Sequence, residues 1–191
     1  MSVRGLIPLV FYTVVVLCLH ILTRGEAISP VASFALFASG VLSWGLLEYA
    51  LHRFAFHYDA RSEFGRKFVY AAHLSHHENP RRSDGVFSSL VISAPVATVY
   101  LLLAWLATGS WRAAAYLFTG LVVGYFYYEW LHFRSHHQRA RLRLFRYLQK
   151  YHLLHHHQTP ERRFGVTSPL FDILFGTFEP VSSRRPHVER R

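Results

Sequence analysis

Apolar residues in this chain gather in long unbroken runs. Gly5 to Thr23 carries no charge, and neither do Ala27 to Leu47, Gly85 to Trp111 or Ala113 to Tyr128. A helix needs about 20 apolar residues to cross the hydrocarbon of a bilayer. Three runs meet that length directly. The fourth meets it if Glu129, Trp130 and Leu131 complete its last turn at the interface. The pattern predicts an all-α fold: an integral membrane four-helix bundle with spans at about 5–23, 28–52, 86–108 and 113–132. A soluble hairpin made from the first two runs is the weaker reading, because one small domain rarely needs four such runs in its core.

The connections fit that layout. Ser29 can cap the second helix, with Pro30 as its first residue. Thr108-Gly109-Ser110-Trp111-Arg112 is a short turn between helices three and four. Two segments remain, 53–85 and 133–191, and they should form a histidine-rich helical cap on one membrane face. In the first, Arg61, Arg66 and Lys67 alternate with Phe64, Phe68 and Tyr70. In the second, the basic residues of Arg139 to Lys150 alternate with Leu142, Phe145 and Leu148. Both patterns predict helices lying in the headgroup layer. Asn79-Pro80 ends the helix that carries His73 to His77. Ser168-Pro169 starts a short helix, Leu170 to Phe175, closed by Gly176. Ser182 to Arg191 forms a basic tail. A chain of 191 residues fits one domain, 1–191.

Charge then sets the orientation. The net charge is +10, but its distribution argues against a nucleic-acid partner. Of 21 Lys and Arg residues, only Arg24 and Arg112 lie on the far side, leaving 19 on the side of both termini. This positive-inside bias places both termini in the cytoplasm. Arginine far outnumbers lysine, which points to a GC-rich bacterial genome and a bacterial inner membrane (an ER membrane in a eukaryote). Cys18 is the only cysteine; it should pack as a small hydrophobe. The N-terminal run resembles a signal peptide but is long for one, and Arg24 with Glu26 spoils the cleavage region.

The chemistry lies in the histidines. Ten of 14 form four clusters: His52-x4-His57, His73-x2-His76-His77, His132-x3-His136 and His152-x2-His155-His156. Neutral imidazole is the commonest metal ligand. Residues three or four apart share a helix face, whereas adjacent residues differ by about 100°. His76 and His77 therefore cannot easily grip one ion, but they can serve two neighbouring ions. The same holds for His155 and His156. Ten imidazoles over two ions give about five each, leaving a position for oxygen or water in an octahedral shell. His52 and His57 lie about 140° off a common face, so helix two must end or bend near Arg53. A low-complexity metal scavenger is the bland alternative; four clusters on one membrane face favour a specific centre.

His20 should be a far-side interfacial residue, His137 and His157 neighbours outside the ligand set, and His187 part of the tail. Glu48 precedes His52 by four and Glu129 precedes His132 by three. Each is expected to orient its histidine as an outer carboxylate. Tyr128 and Trp130 fit an aromatic belt. Asp59 and Asp84 carry no chemical signal, and Asp172 stabilises the first turn of its short helix.

The order and flanks of these clusters resemble a known family. Glu48-Tyr49-Ala50-Leu51-His52-Arg53-Phe54-Ala55-Phe56-His57, His73-Leu74-Ser75-His76-His77, His132-Phe133-Arg134-Ser135-His136 and Tyr151-His152-Leu153-Leu154-His155-His156 resemble the fatty acid hydroxylase superfamily, which includes sterol desaturases. Phe164 to Thr177 is similar to the segment after the last histidine box of fatty acid 2-hydroxylases. The resemblance implies an integral membrane di-metal oxygenase. Two irons (zinc in purified protein) would be held by His52, His57, His73, His76, His77, His132, His136, His152, His155 and His156, with no catalytic residue beyond the metal centre. O2 would be the co-substrate, and one of its oxygens would enter a C–H bond of a lipid or fatty acyl chain, next to the acyl carbonyl in the 2-hydroxylase branch. Many eukaryotic members carry a cytochrome b5 domain. Here four residues precede helix one, so a separate electron donor of cytochrome b5 or ferredoxin type is expected. Desaturation, or carotenoid or sterol hydroxylation, is the alternative at the same centre. A non-catalytic metal-binding or transport protein would line a path at mid-membrane with polar residues, and the runs hold few. A haem cytochrome needs one or two axial histidines, not ten.

Overall fold

A computed structural model describes residues 3–82 and 89–181. The expected start of the third span, Asp84 and the tail 182–191 with His187 lie outside the described residues. All regular secondary structure among the described residues is helical, with no strand among them.

Each apolar run forms one helix. These are α1 (Val3–Leu22), α2 (Pro30–Ala50), α5 (Leu90–Thr108) and α6 (Trp111–His137). Ser29 caps α2, accepting from Ala32 N at 3.2 Å. Gly109, at φ 64°, ends α5 in the left-handed region where glycine is favoured. Ser110 caps α6 through Ala113 N at 3.1 Å. The two far-side turns are tied by Glu26, which accepts from the Ser110 hydroxyl at 2.6 Å and Arg112 N at 3.2 Å. His20 lies at this end, its ring 2.9 Å from the Thr119 hydroxyl.

Helix α6 is central and packs against α1, α2 and α5. Tyr12, Phe118, Leu121, Val122 and Tyr125 form the buried core. The α2–α6 crossing is close because both helices place glycine there. A Cβ on Gly40 would strike the Leu117 carbonyl oxygen, and one on Gly120 would strike that of Phe37. The outer faces are apolar and exposed, as at Leu22, Val31, Phe34 and Val91. Two helical stretches, Pro30–Phe56 and Leu90–Thr108, are long and apolar enough to cross a bilayer, and α1 adds a shorter apolar stretch, Leu6–Leu22. Cys18 corrects its expectation: it is exposed on the outside of α1 rather than packed.

The cap builds on α2 and α6. Helix α2 continues into a π-helical turn, π1 (Leu51–Phe56), followed by α3 (Glu63–Val69), a second π-turn, π2 (Tyr70–Leu74), and α4 (Ser75–Glu78). The first surface helix is thus only seven residues long, with Phe64 exposed. Helix α6 runs past its expected end, so His132 and His136 share one continuous helix. Helix α7 (Arg143–His157) buries Leu148, Tyr151, His152 and His155 while Leu142 and Leu144 face outward. Gln149 pins the α6–α7 turn: it donates to the Ser135 and Gln138 carbonyls at 2.9 and 2.7 Å and accepts from Ala140 N at 3.1 Å. A short α8 (Leu170–Leu174) follows, with Gly176 at φ 72° beyond it.

Candidate metal centre

The ten clustered histidines sort into two groups of five. His52, His57, His73, His77 and His155 place one ring nitrogen each within 4.8 Å of one another, and so do His76, His132, His136, His152 and His156. The neighbours His76 and His77 serve different groups, as do His155 and His156, as the 100° argument requires. His20, His137 and His157 belong to neither group.

The π-turns explain how the first group converges. His57 lies five positions after His52, a spacing no α-helical face accommodates. In π1 the His57 N–H donates to the His52 carbonyl at 3.2 Å, an i→i+5 bond. The two rings then stand 5.1 Å apart. The expected break is therefore a wider turn within continuous helix. A second π-turn carries His73, whose Nε2 lies 2.9 Å from the Nε2 of both His52 and His77. His155 Nε2 lies 3.2 Å from His57 Nε2. In the second group, His136 Nε2 lies 3.1 Å from that of His76 and 2.8 Å from that of His152.

These separations fit ions. Two nitrogens each about 2.1 Å from one ion and 90° apart sit about 3.0 Å from each other. Proton counting agrees. His52 donates Nδ1–H to the Phe164 carbonyl at 2.5 Å and His155 donates to that of Arg162 at 2.7 Å. Each inward Nε2 must then carry a lone pair. Both ring nitrogens of His156 are buried without a hydrogen-bond partner among the described residues. Burial also keeps the cap imidazoles neutral. It holds His57 down to about 4 and His76, His77 and His155 to about 3, with neighbouring imidazoles adding to the effect at His76, His77 and His155. His73 and His152 are lowered well below their ordinary value, by burial first and by neighbouring imidazoles second. Converging neutral nitrogens suit borderline transition metals and not calcium or magnesium.

The outer partners differ from the expected ones. Glu48 does not hold His52. Its carboxyl group accepts from Val166 N at 2.5 Å, Thr167 N at 2.9 Å and the Thr167 hydroxyl. An α2 residue one turn before His52 meets this distant loop first. Glu129 lies buried and pairs with the Tyr125 hydroxyl. Asp172, expected only to favour a helix start, is wholly buried and accepts from Phe164 N at 2.9 Å, Gly165 N at 2.8 Å and the Thr177 hydroxyl at 2.7 Å. Tyr128 is no belt residue: its ring stacks on His132 at 5.4 Å.

A narrow apolar pocket of about 50 Å³ lies beneath the cap. Tyr12, Trp44, Leu47, Val96 and Leu121 contribute its walls, and His52 and Tyr128 face it from the histidine end.

Comparison with known proteins supplies the family. A fatty acid hydroxylase family model matches residues 37–177. Two Arabidopsis thaliana proteins described as dihydroceramide fatty acyl 2-hydroxylases are similar. FAH2 is 36% identical over 149 residues, covering 76% of this chain and 61% of FAH2. FAH1 is 30% identical over 190 residues, covering 97% of this chain and 77% of FAH1. The Saccharomyces cerevisiae ceramide very long chain fatty acid hydroxylase SCS7 is 36% identical over 147 residues, covering 75% of this chain but 38% of SCS7. A solved structure of full-length scs7p, with only the hydroxylase domain visible, gives a TM-score of 0.82 at 30% identity, covering 93% of this chain and 67% of that one. On this evidence the chain belongs to the fatty acid hydroxylase family.

Proposed function

We propose that this protein is a membrane lipid hydroxylase of the fatty acid 2-hydroxylase type, using O2 and two iron ions. The single observation that carries the reading is the pair of five-nitrogen clusters beside an apolar pocket. His52, His57, His73, His77 and His155 would hold one ion, and His76, His132, His136, His152 and His156 the other. Iron rests on family membership, since imidazole alone also takes zinc.

When bound, the iron pair would supply the O2 chemistry, in which one oxygen atom enters a C–H bond and the other leaves as water, with two electrons and two protons drawn from an electron donor. The chain's own residues position and exclude. The pocket would receive the segment of the acyl chain that carries the reacting carbon, and its apolar walls would keep water from that carbon. Tyr128, between pocket and His132, fixes one wall against the cap. Substrate heads stay at the interface, which suits an amphiphile such as a ceramide-like acyl amide. We place all four long helices across the bilayer, with the cap and both termini on the cytoplasmic side, from the positive-inside bias.

Lipid profiling tests the reading. Expression in a host lacking the activity, under 18O2, should add one labelled oxygen at the carbon next to the acyl carbonyl. Loss of two hydrogens instead would make the protein a desaturase. An unchanged lipid profile from protein loaded with both ions and supplied with reductant would overturn the hydroxylase reading.

A further inference from the structure

The two histidine groups are supported unequally. In the first, the Nδ1 atoms of His52 and His155 donate to the backbone carbonyls of Phe164 and Arg162. The Phe164 ring also packs 5.6 Å from the rings of His52, His57 and His155. That stretch of chain is itself clamped. Asp172 takes the N–H groups of Phe164 and Gly165, and Glu48 takes those of Val166 and Thr167. Two carboxyl groups from different helices thus hold four consecutive N–H groups. The clamp extends through Thr177, 2.7 Å from Asp172, to the Tyr49 hydroxyl at 3.0 Å and on to Arg53, which donates to Tyr49 at 2.6 Å. In the second group, Nδ1 of His76, His152 and His156 is buried with no hydrogen-bond partner among the described residues.

We propose that Asp172 and Glu48 are positioning residues for the first group alone, acting through loop 162–167 on His52 and His155, and that this group is the tighter of two unequal metal sites. A ligand ring held through its second nitrogen keeps its lone pair aimed and loses less freedom when an ion arrives. Rings lacking that hold must be ordered by the ion itself. The inference rests on the di-metal reading above. It adds that the ions load and leave in order, the ion at His76, His132, His136, His152 and His156 leaving first.

Release of zinc from the purified full chain tests this. Zinc-loaded protein is challenged with excess EDTA, and the metal remaining on the protein is followed over time. Wild type should lose two ions in two phases. His156→Ala should lack the fast phase and keep the slow one. Asp172→Asn keeps the shape but turns one acceptor into a donor facing an N–H. It should speed the slow phase about 10–100-fold and leave the fast phase unchanged. Glu48→Gln loosens the same loop from the other side and should act alike. Two ions leaving at a single rate would overturn the inference alone. So would both variants altering the fast phase, altering neither phase, or failing to fold, because the clamp is assigned to ring position rather than to the fold. Fewer than two zinc ions on wild type would overturn the di-metal reading along with it.

Discussion

His155, His156 and His157 are consecutive, yet the structure gives them three different fates. His155 belongs to the first five-nitrogen group, His156 to the second, and His157 is exposed outside both. Alanine substitution at each should therefore give three distinct outcomes. Structural zinc sites bind with about 10–16 kcal/mol from four ligands, so one imidazole is worth roughly 3 kcal/mol, or about a hundredfold in affinity. His155→Ala should weaken one ion by about that factor and His156→Ala the other, each leaving about one tight ion per chain. His157→Ala should keep both. Under the proposed function lipid oxidation uses both ions, so the first two variants should lose turnover and the third should keep it. Metal-to-protein ratios after dialysis against a weak chelator, with lipid turnover in parallel, read this directly. If His157→Ala lowered metal content as far as His156→Ala, the run would be a general scavenger and the assignment would fail.

Other perturbations probe separate parts of the account. The buried histidines take up protons less readily than in the unfolded chain. His57 is held at about 4 and His76, His77 and His155 at about 3 by burial. Their contribution to stability is therefore complete above the unfolded value of about 6.5 and is lost as pH falls through 6.5 toward the folded values. Thermal unfolding in detergent should show a lower Tm at pH 5 than at pH 8, and equal values would contradict this. Gly120→Val should force α2 and α6 apart and cost about 1–3 kcal/mol. Gly25→Ala, with nothing within 4 Å, should leave Tm unchanged, and equal losses would refute the close-crossing argument. Ala97→Trp should fill the narrow pocket, abolishing turnover on long acyl chains while metal content stays at wild type. Undiminished turnover would place the acyl chain elsewhere.

Much of the helix layout and of the histidine grouping was legible because long uncharged runs and regularly spaced histidines leave simple marks. Uncharged runs matched the four long helices, although helix ends shifted: α6 extends through His137, and its last turns carry His132 and His136 into the histidine groups. The division of His76 from His77 and of His155 from His156 followed from the helical angle between neighbours. Two things were hidden. The π-turn at His52 was unreadable, because a spacing of five signals a break unless an i→i+5 bond is already known. The outer partners were misjudged because backbone carbonyls, such as those of Phe164 and Arg162, carry no sequence mark. Glu48, expected to orient His52, instead binds a loop 118 residues away in sequence. Asp172 carried the same signal: it is an acid between Phe171 and Ile173 in an apolar segment, a costly place without donors.

Two ions, each held by its own five imidazoles, are what every other part of the account requires. Anomalous diffraction from metal-loaded crystals measures this directly. The account predicts two peaks, one about 2.1 Å from nitrogens of His52, His57, His73, His77 and His155, the other about 2.1 Å from those of His76, His132, His136, His152 and His156. One peak, or an ion drawing its ligands from both sets, would contradict it.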